Sequence, residues 1–311
     1  MGYSVSSNGT ARALPSAANA PSQASEFPAF FTPSPLSVEM ASLPFFDGLS
    51  EALYSAIRIP LDSQSEIVLF GGMVTDQNIF TRPKLTGSSQ QRAFDPQKRP
   101  GNCTDCSTLK YVDYPMMLNI KRQMEFALPR LDISSSHTPV IISAGLNLKY
   151  LKSELEGGED NGYISQNINM DGGVHLSLLL GYDLKTKKAR RTLGVDVSGF
   201  ELLQTSQVSS ISEDKIQSRS HLLFYWNEDI GWNSQIKFAI NQQSEFGKWP
   251  SLGVEGVFHK SLFLRFGGNE ARLTGGVTLK YRFIALHYSF IHHDLGTNPY
   301  QIALEMLPFA F

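Results

Sequence analysis

The sequence predicts an all-β chain: an antiparallel transmembrane β-barrel of about 12–14 strands with an N-terminal luminal plug segment and one short helix. Three observations carry this. Apolar and polar residues alternate with period two over stretches of 11 to 14 residues, and a series of such stretches near the C-terminus is separated by only two to six residues. The composition is short of charge without being rich in apolar residues: 18% charged against about 25% in ordinary soluble domains, with 41% hydrophobic. Small polar residues fill the difference, as a polar lumen inside an apolar wall requires.

At 311 residues one large all-β domain is the default. We divide it into residues 1–35, a plug or hatch-like segment, and residues 36–311, the barrel. A net charge of −2 gives no bulk attraction to nucleic acid, so no nucleic-acid partner is expected. The densest apolar runs, such as Val140-Ile141-Ile142 or Leu176 to Leu180, span five residues or fewer, too short for a membrane helix of about 18 or more. Residues 1–24 lack the apolar core of a signal peptide, and the expectation is that such a leader has been removed.

Each segment contributes in turn. Prolines at 21, 28, 33 and 35 exclude a regular helix or central strand near the N-terminus. Phe27, Phe30 and Phe31 in that stretch give it apolar surface to pack, and the lumen is its natural place. Residues 47–58 read as the short helix, with Asp47 as cap and Leu49, Leu53, Ala56 and Ile57 at helical spacing. Residues 81–108 have no periodicity and many Pro, Gly and Gln, which marks a long loop. It holds Cys103 and Cys106, two thiols where a closed zinc site needs about four ligands, so a local loop disulfide or no chemistry at all is expected.

Strand character dominates the remainder. Val140, Ile142, Ala144, Leu146, Leu148 and Tyr150 alternate with Ser143, Gly145, Asn147 and Lys149. The same split separates Val174, Leu176, Leu178 and Leu180 from His175 and Ser177, and Trp232, Ile236, Phe238 and Ile240 from Asn233, Gln235, Lys237 and Asn241. The stretches 252–258, 262–266, 273–281 and 284–290 follow at hairpin spacing, so their neighbours must run antiparallel. A soluble sandwich also alternates, but its strands cluster near 5–6 residues while membrane strands need about 9–11.

Candidate functional residues come from the polar positions. Lys149, Lys237, Arg265, Lys280 and Arg282 fall where alternation points them to the lumen or its rim. His287, His292, His293 and Asp294 cluster, with His287 and His293 on the polar face, and read as hydrated turn residues rather than a metal site. Glu154, Glu156, Glu159 and Asp160 around Gly157-Gly158 read as an exposed hairpin tip rather than a calcium loop. No G-x-S-x-G elbow and no Walker-type loop occurs. We therefore assign no catalytic residue, no metal and no cofactor, and expect no enzyme.

Beyond pattern, particular residues carry a resemblance. Leu252-Gly253-Val254-Glu255-Gly256, Leu264-Arg265-Phe266-Gly267, Thr274-Gly275-Gly276 leading to Lys280-Tyr281, then His287-Tyr288-Ser289-Phe290 and Leu295-Gly296 follow in order, and Gly145-Leu146-Asn147-Leu148-Lys149-Tyr150-Leu151 forms a second patch. These stretches resemble the PorV/PorQ and UPF0164 group of the FadL-like (long-chain fatty-acid transporter) outer-membrane barrel superfamily. Ala11-Arg12-Ala13-Leu14 and Phe30-Phe31-Thr32-Pro33 lie where that group has its N-terminal hatch motifs, without their glycines and asparagine. The resemblance implies about 14 strands, an N-terminal segment inside the lumen, a Gram-negative outer membrane as surroundings, and one of two roles. One is passage of hydrophobic or weakly polar small molecules, with Phe27, Phe30, Phe31, Lys149, Arg265 and Lys280 toward the ligand. The other is that of a non-catalytic component or shuttle of a type IX-like secretion system, with protein partners bound by loops such as 81–108 and 208–218.

Overall fold

In the computed structural model the described residues are 20–31, 35–45, 50–81, 107–129, 137–156, 163–183, 186, 188–208, 218–244, 250–270, 272–293 and 300–307. Cys103 and Cys106, and residues 157–162 of the acidic tip, lie outside them. Fourteen strands follow one another among these residues. They are β1 (Ser37–Phe45), β2 (Ser50–Pro60), β3 (Ser65–Thr81), β4 (Ser107–Pro129), β5 (His137–Glu156), β6 (Tyr163–Asp183) and β7 (Lys188–Val208). The second half holds β8 (Arg219–Gly231), β9 (Ser234–Gln243), β10 (Ser251–Phe258), β11 (Leu262–Asn269), β12 (Arg272–Tyr281), β13 (Ile284–His293) and β14 (Tyr300–Met306). Every strand pairs antiparallel with its sequence neighbours, and β1 closes on β14 from Val38↔Met306 to Ser42↔Ile302. An even strand number lets an up-and-down sheet close without a parallel seam, and closure leaves no edge to protect.

Alternation sorts the side chains. On β14, Ile302, Leu304 and Met306 stand outside while Gln301, Ala303 and Glu305 are buried inside. Outer-wall residues such as Met40, Leu148, Phe238, Leu252 and Leu279 are half or more exposed, and the closed sheet leaves no second layer to cover them among the described residues. An apolar surface of that extent is untenable in water and fits hydrocarbon.

The helix expected over 47–58 is not there. Residues 50–60 form β2, paired with β1 and β3 and buried at every second residue, with Ala52, Tyr54 and Ala56 inside. Leu53 and Ile57 are four apart, a spacing that satisfies both a helix face and one face of a strand. The partners on either side decide between them.

The even-to-odd connections that the structure describes are tight turns. In the β2–β3 turn the Gln64 N–H donates to the Asp62 carboxylate at 2.6 Å, which holds that carboxyl below its ordinary range. The β8–β9 turn has Trp232 and Asn233 at φ 53° and 56°, so Trp232 is a turn residue rather than part of the strand. In the β10–β11 turn His259 and Lys260 sit at φ 51° and 57°. Left-handed φ costs a side-chain-bearing residue roughly 1–2 kcal/mol, least for Asn and nothing for Gly. His259→Asn with Lys260→Gly is therefore expected to stabilise the barrel by about 1 kcal/mol, read as a raised urea midpoint in lipid vesicles. No change would mean that this turn is not limiting in unfolding.

Candidate functional site

Residues 20–31 are buried against the inner face of the wall, where inward side chains hold them. Pro21–Ser25 is a single 3-10 turn with proline at its start, where the missing N–H costs nothing. Beyond it the chain runs on without ladder partners, and Ala20, Ala24, Phe27 and Ala29 are fully buried. Backbone of this kind persists at membrane depth only where other protein groups satisfy it.

Those groups come from the wall. Glu39 on β1 accepts from the Ser22 N–H at 2.8 Å, the Ser22 hydroxyl at 2.9 Å and the Tyr54 hydroxyl at 3.1 Å. The segment's carbonyls are taken by β4 and β5: Asn147 Nδ2 donates to Ala24 O at 3.0 Å and Asn119 Nδ2 to Pro28 O at 3.2 Å. Ser143 Oγ donates to Ala29 O at 2.6 Å, and Lys121 Nζ to Phe30 O at 2.9 Å. Gly145 lies among these donors, and a Cβ there would stand 1.8 Å from Pro28 O. Glycine is what lets the segment lie directly on the wall.

Charges inside the barrel are paired, as burial demands. Glu66 lies 2.8 Å from Lys121 Nζ and 3.4 Å from Arg58 Nε. Asp196 accepts from Ser198 Oγ at 2.7 Å and is bonded to His221 Nε2 at 2.8 Å, with His175 Nδ1 3.5 Å away. His175 Nε2 is bonded to Ser177 Oγ at 2.8 Å and lies 3.2 Å from the Tyr225 hydroxyl. Across β10–β14 a chain of polar contacts passes from Glu255 to Arg265 at 2.8 Å, from Arg265 to Thr278 at 2.8 Å and from Thr278 to His287 at 2.8 Å. His287 Nε2 ends it 3.4 Å from Glu305. Arg58, Glu255, His287 and Glu305 are at most 1% exposed.

The residues singled out from the sequence are placed as follows. Phe27 and Phe30 pack together with Leu223, Tyr225 and Ala239. Phe30 meets His175 edge-on at 5.1 Å, and Phe27 lies 5.4 Å from the His221 ring. Phe31 is half-buried. Lys149 faces inward, paired with Asp171, its Nζ 5.6 Å from the Phe200 ring. Lys237 is buried with its Nζ 5.5 Å from the Phe30 ring. Arg265 pairs with Glu255, which stands between it and Lys237 on the adjacent strands β9, β10 and β11, and half-buried Lys280 stands one inward position past Thr278 towards the turn.

Two expectations need correction. Arg282 is a turn residue at φ 50°, exposed and stacked on Tyr281 at 5.3 Å, because β12 ends before it and alternation lapses in the turn. His287 is not a hydrated turn residue but lies within β13, fully buried, with His292 on the opposite, exposed face. The His293 side chain and Asp294 lie outside the described residues. Among the described residues no group of three or more His, Cys, Asp or Glu is placed to hold a metal. Sequence reasoning passed over Glu39, Asn119, Asp196 and His221. Their one signal was a polar residue at an inward position of an alternating stretch.

No protein-family model matches the chain, nor does any curated protein sequence. Among solved structures it is similar to the toluene transporter TbuX of Ralstonia pickettii, at 9% identity over 98% of each chain with a TM-score of 0.47. The transport unit of the autotransporter AIDA-I from Escherichia coli aligns at 9% identity over 88% of this chain and 89% of that one, TM-score 0.36. The TodX monoaromatic hydrocarbon channel deltaS2 mutant aligns at 10% identity over 98% and 97%, TM-score 0.33. At these scores none of the likenesses bears on what the chain does.

Proposed function

We propose that this chain is an outer-membrane barrel that passes hydrophobic or weakly polar small molecules, with residues 20–31 as the plug that closes it. The carrying observation is how the segment is attached: side-chain bonds from the wall hold it, and no ladder pairing joins it to the sheet. It can leave without breaking a strand pair. The apolar outer wall and the resemblance to FadL-like barrels support the membrane part of the reading. Tight turns lie at the end where β1 begins and β14 ends, opposite the long connection between Thr81 and Ser107, so that end is taken as periplasmic.

The test is heat-modifiable gel mobility of the detergent-extracted protein, with mass spectrometry of extracted ligands on the same sample. A faster unheated band together with a fatty-acid-like or other apolar molecule is the expected outcome. A soluble protein without a mobility shift overturns the membrane reading. The filled lumen favours a second reading, a secretion-accessory barrel that binds a protein partner through its long loops. It predicts the same heat shift with no ligand, and a partner protein that copurifies in defined stoichiometry.

A further inference from the structure

A groove of about 1360 Å³ lies on the outer wall, lined by residues of β6 to β12. Its origin lies in the register. One row of inward positions, paired strand to strand, reads Ser177↔Gly194↔Tyr225↔Ala239↔Gly253↔Gly267. Tyr225 is the one large residue in it, and a Cβ on Gly194 would stand 2.0 Å from the Tyr225 ring. With so little side chain inside, this strip of wall lies closer to the lumen than a strip of larger residues could. The outward rows on either side overhang it, with Leu193, Trp226 and Phe238 on one bank and Val195, Phe224 and Ile240 on the other. Crossing seven strands at about 4.8 Å spacing, the groove is roughly 29 Å long.

Charge flanks it on β7 and β8, past the Leu193–Trp226 bank. Arg191 lies two residues before Leu193 on the same outer face, its guanidinium 5.7 Å from the Trp226 ring. It is paired with Glu228 at 2.7 Å, and Arg190, 72% exposed, reaches Glu228 at 4.0 Å. Charges on the outer face mark the edge of the hydrocarbon, where they cost little, and Trp226 stands at that level as a girdle residue. The apolar trough thus has, beside one bank, a cluster that offers both guanidinium and carboxylate to a headgroup. A fatty acid would use only the cations, a neutral hydrocarbon neither.

Resting on the reading of this wall as lipid-facing, we infer that the groove holds one zwitterionic phospholipid, its acyl chains along the trough, its phosphate at Arg190 and Arg191 and its ammonium at Glu228. The test is native mass spectrometry of the detergent-purified protein titrated separately with phosphatidylethanolamine, phosphatidylglycerol and palmitate, with heat-modifiable mobility checked on every sample. Wild-type protein is expected to retain one phosphatidylethanolamine in preference to the other two. The double variant R190Q/R191Q is expected to weaken that retention about a hundredfold, the loss of two charge-assisted contacts. Val195→Trp, which fills the trough without touching the headgroup cluster, is expected to abolish it. Equal retention of all three lipids, or of phosphatidylethanolamine by all three proteins, shows annular lipid only and overturns the inference. Absence of a heat shift in the wild type overturns the membrane reading itself, and the groove with it.

Discussion

Replacing Gly145 by leucine is expected to open the barrel. The added Cβ would meet Pro28 O at 1.8 Å and the Ala29 Cα at 2.9 Å. Strand β5 cannot yield, because it is paired along its length with β4 and β6. The segment must move, and with it go the bonds from Asn119, Ser143 and Lys121, each about 1 kcal/mol net and more for the charged donor. A loss of that size shifts the closed-to-open ratio by at least ~10-fold. Planar-bilayer recording should therefore show channel openings in Gly145→Leu at protein amounts where the wild type is silent, with heat-modifiable mobility retained in both. Silence of a properly folded variant would mean that residues 20–31 do not control access, and the secretion-accessory reading would gain.

Breaking the Glu255–Arg265 pair is expected to have the largest effect on stability. Both side chains are fully buried, and the Nε to carboxylate distance is 2.8 Å. Glu255 stands between Arg265 and, on β9, the buried Lys237, so Glu255→Ala takes the carboxylate from two buried cations and should cost about 3–5 kcal/mol, while Arg265→Ala leaves Lys237 beside it and should cost less. Replacing both residues with methionine removes that pair but also takes the carboxylate from beside Lys237, so it should recover only part of the loss. Urea titration of the barrel in phospholipid vesicles measures all three. Single variants within about 0.5 kcal/mol of the wild type, the size of an ordinary surface substitution, would mean that water reaches the pair.

The extent to which the sequence foretold these contacts follows from the kind of information each needs. Outer and inner faces were legible because period two is a local property. Leu146 and Leu148 stand outside and Asn147 inside, as alternation requires. Hairpin spacing made the C-terminal strands legible too, since a two- or three-residue gap admits only antiparallel neighbours. The reading failed at 50–60, where Leu53 and Ile57 suit two periods at once. It failed again at His287, expected as a hydrated turn residue, because β13 runs on through it and buries it.

By itself the sequence determined the class of fold, the antiparallel order of the C-terminal strands and, along the long alternating stretches, which residues face the lumen, because each depends on neighbours along the chain. Tertiary structure alone decided the strand count, the partners of the buried charges, and the lodging of residues 20–31 on Gly145 and the donors around it. Asn119 and Ser143 are 91 and 114 residues from the carbonyls they hold, and Arg265 is thirteen from Thr278. Such pairs are set by register and closure, which fix every strand against its neighbours around the ring. No local pattern carries that information.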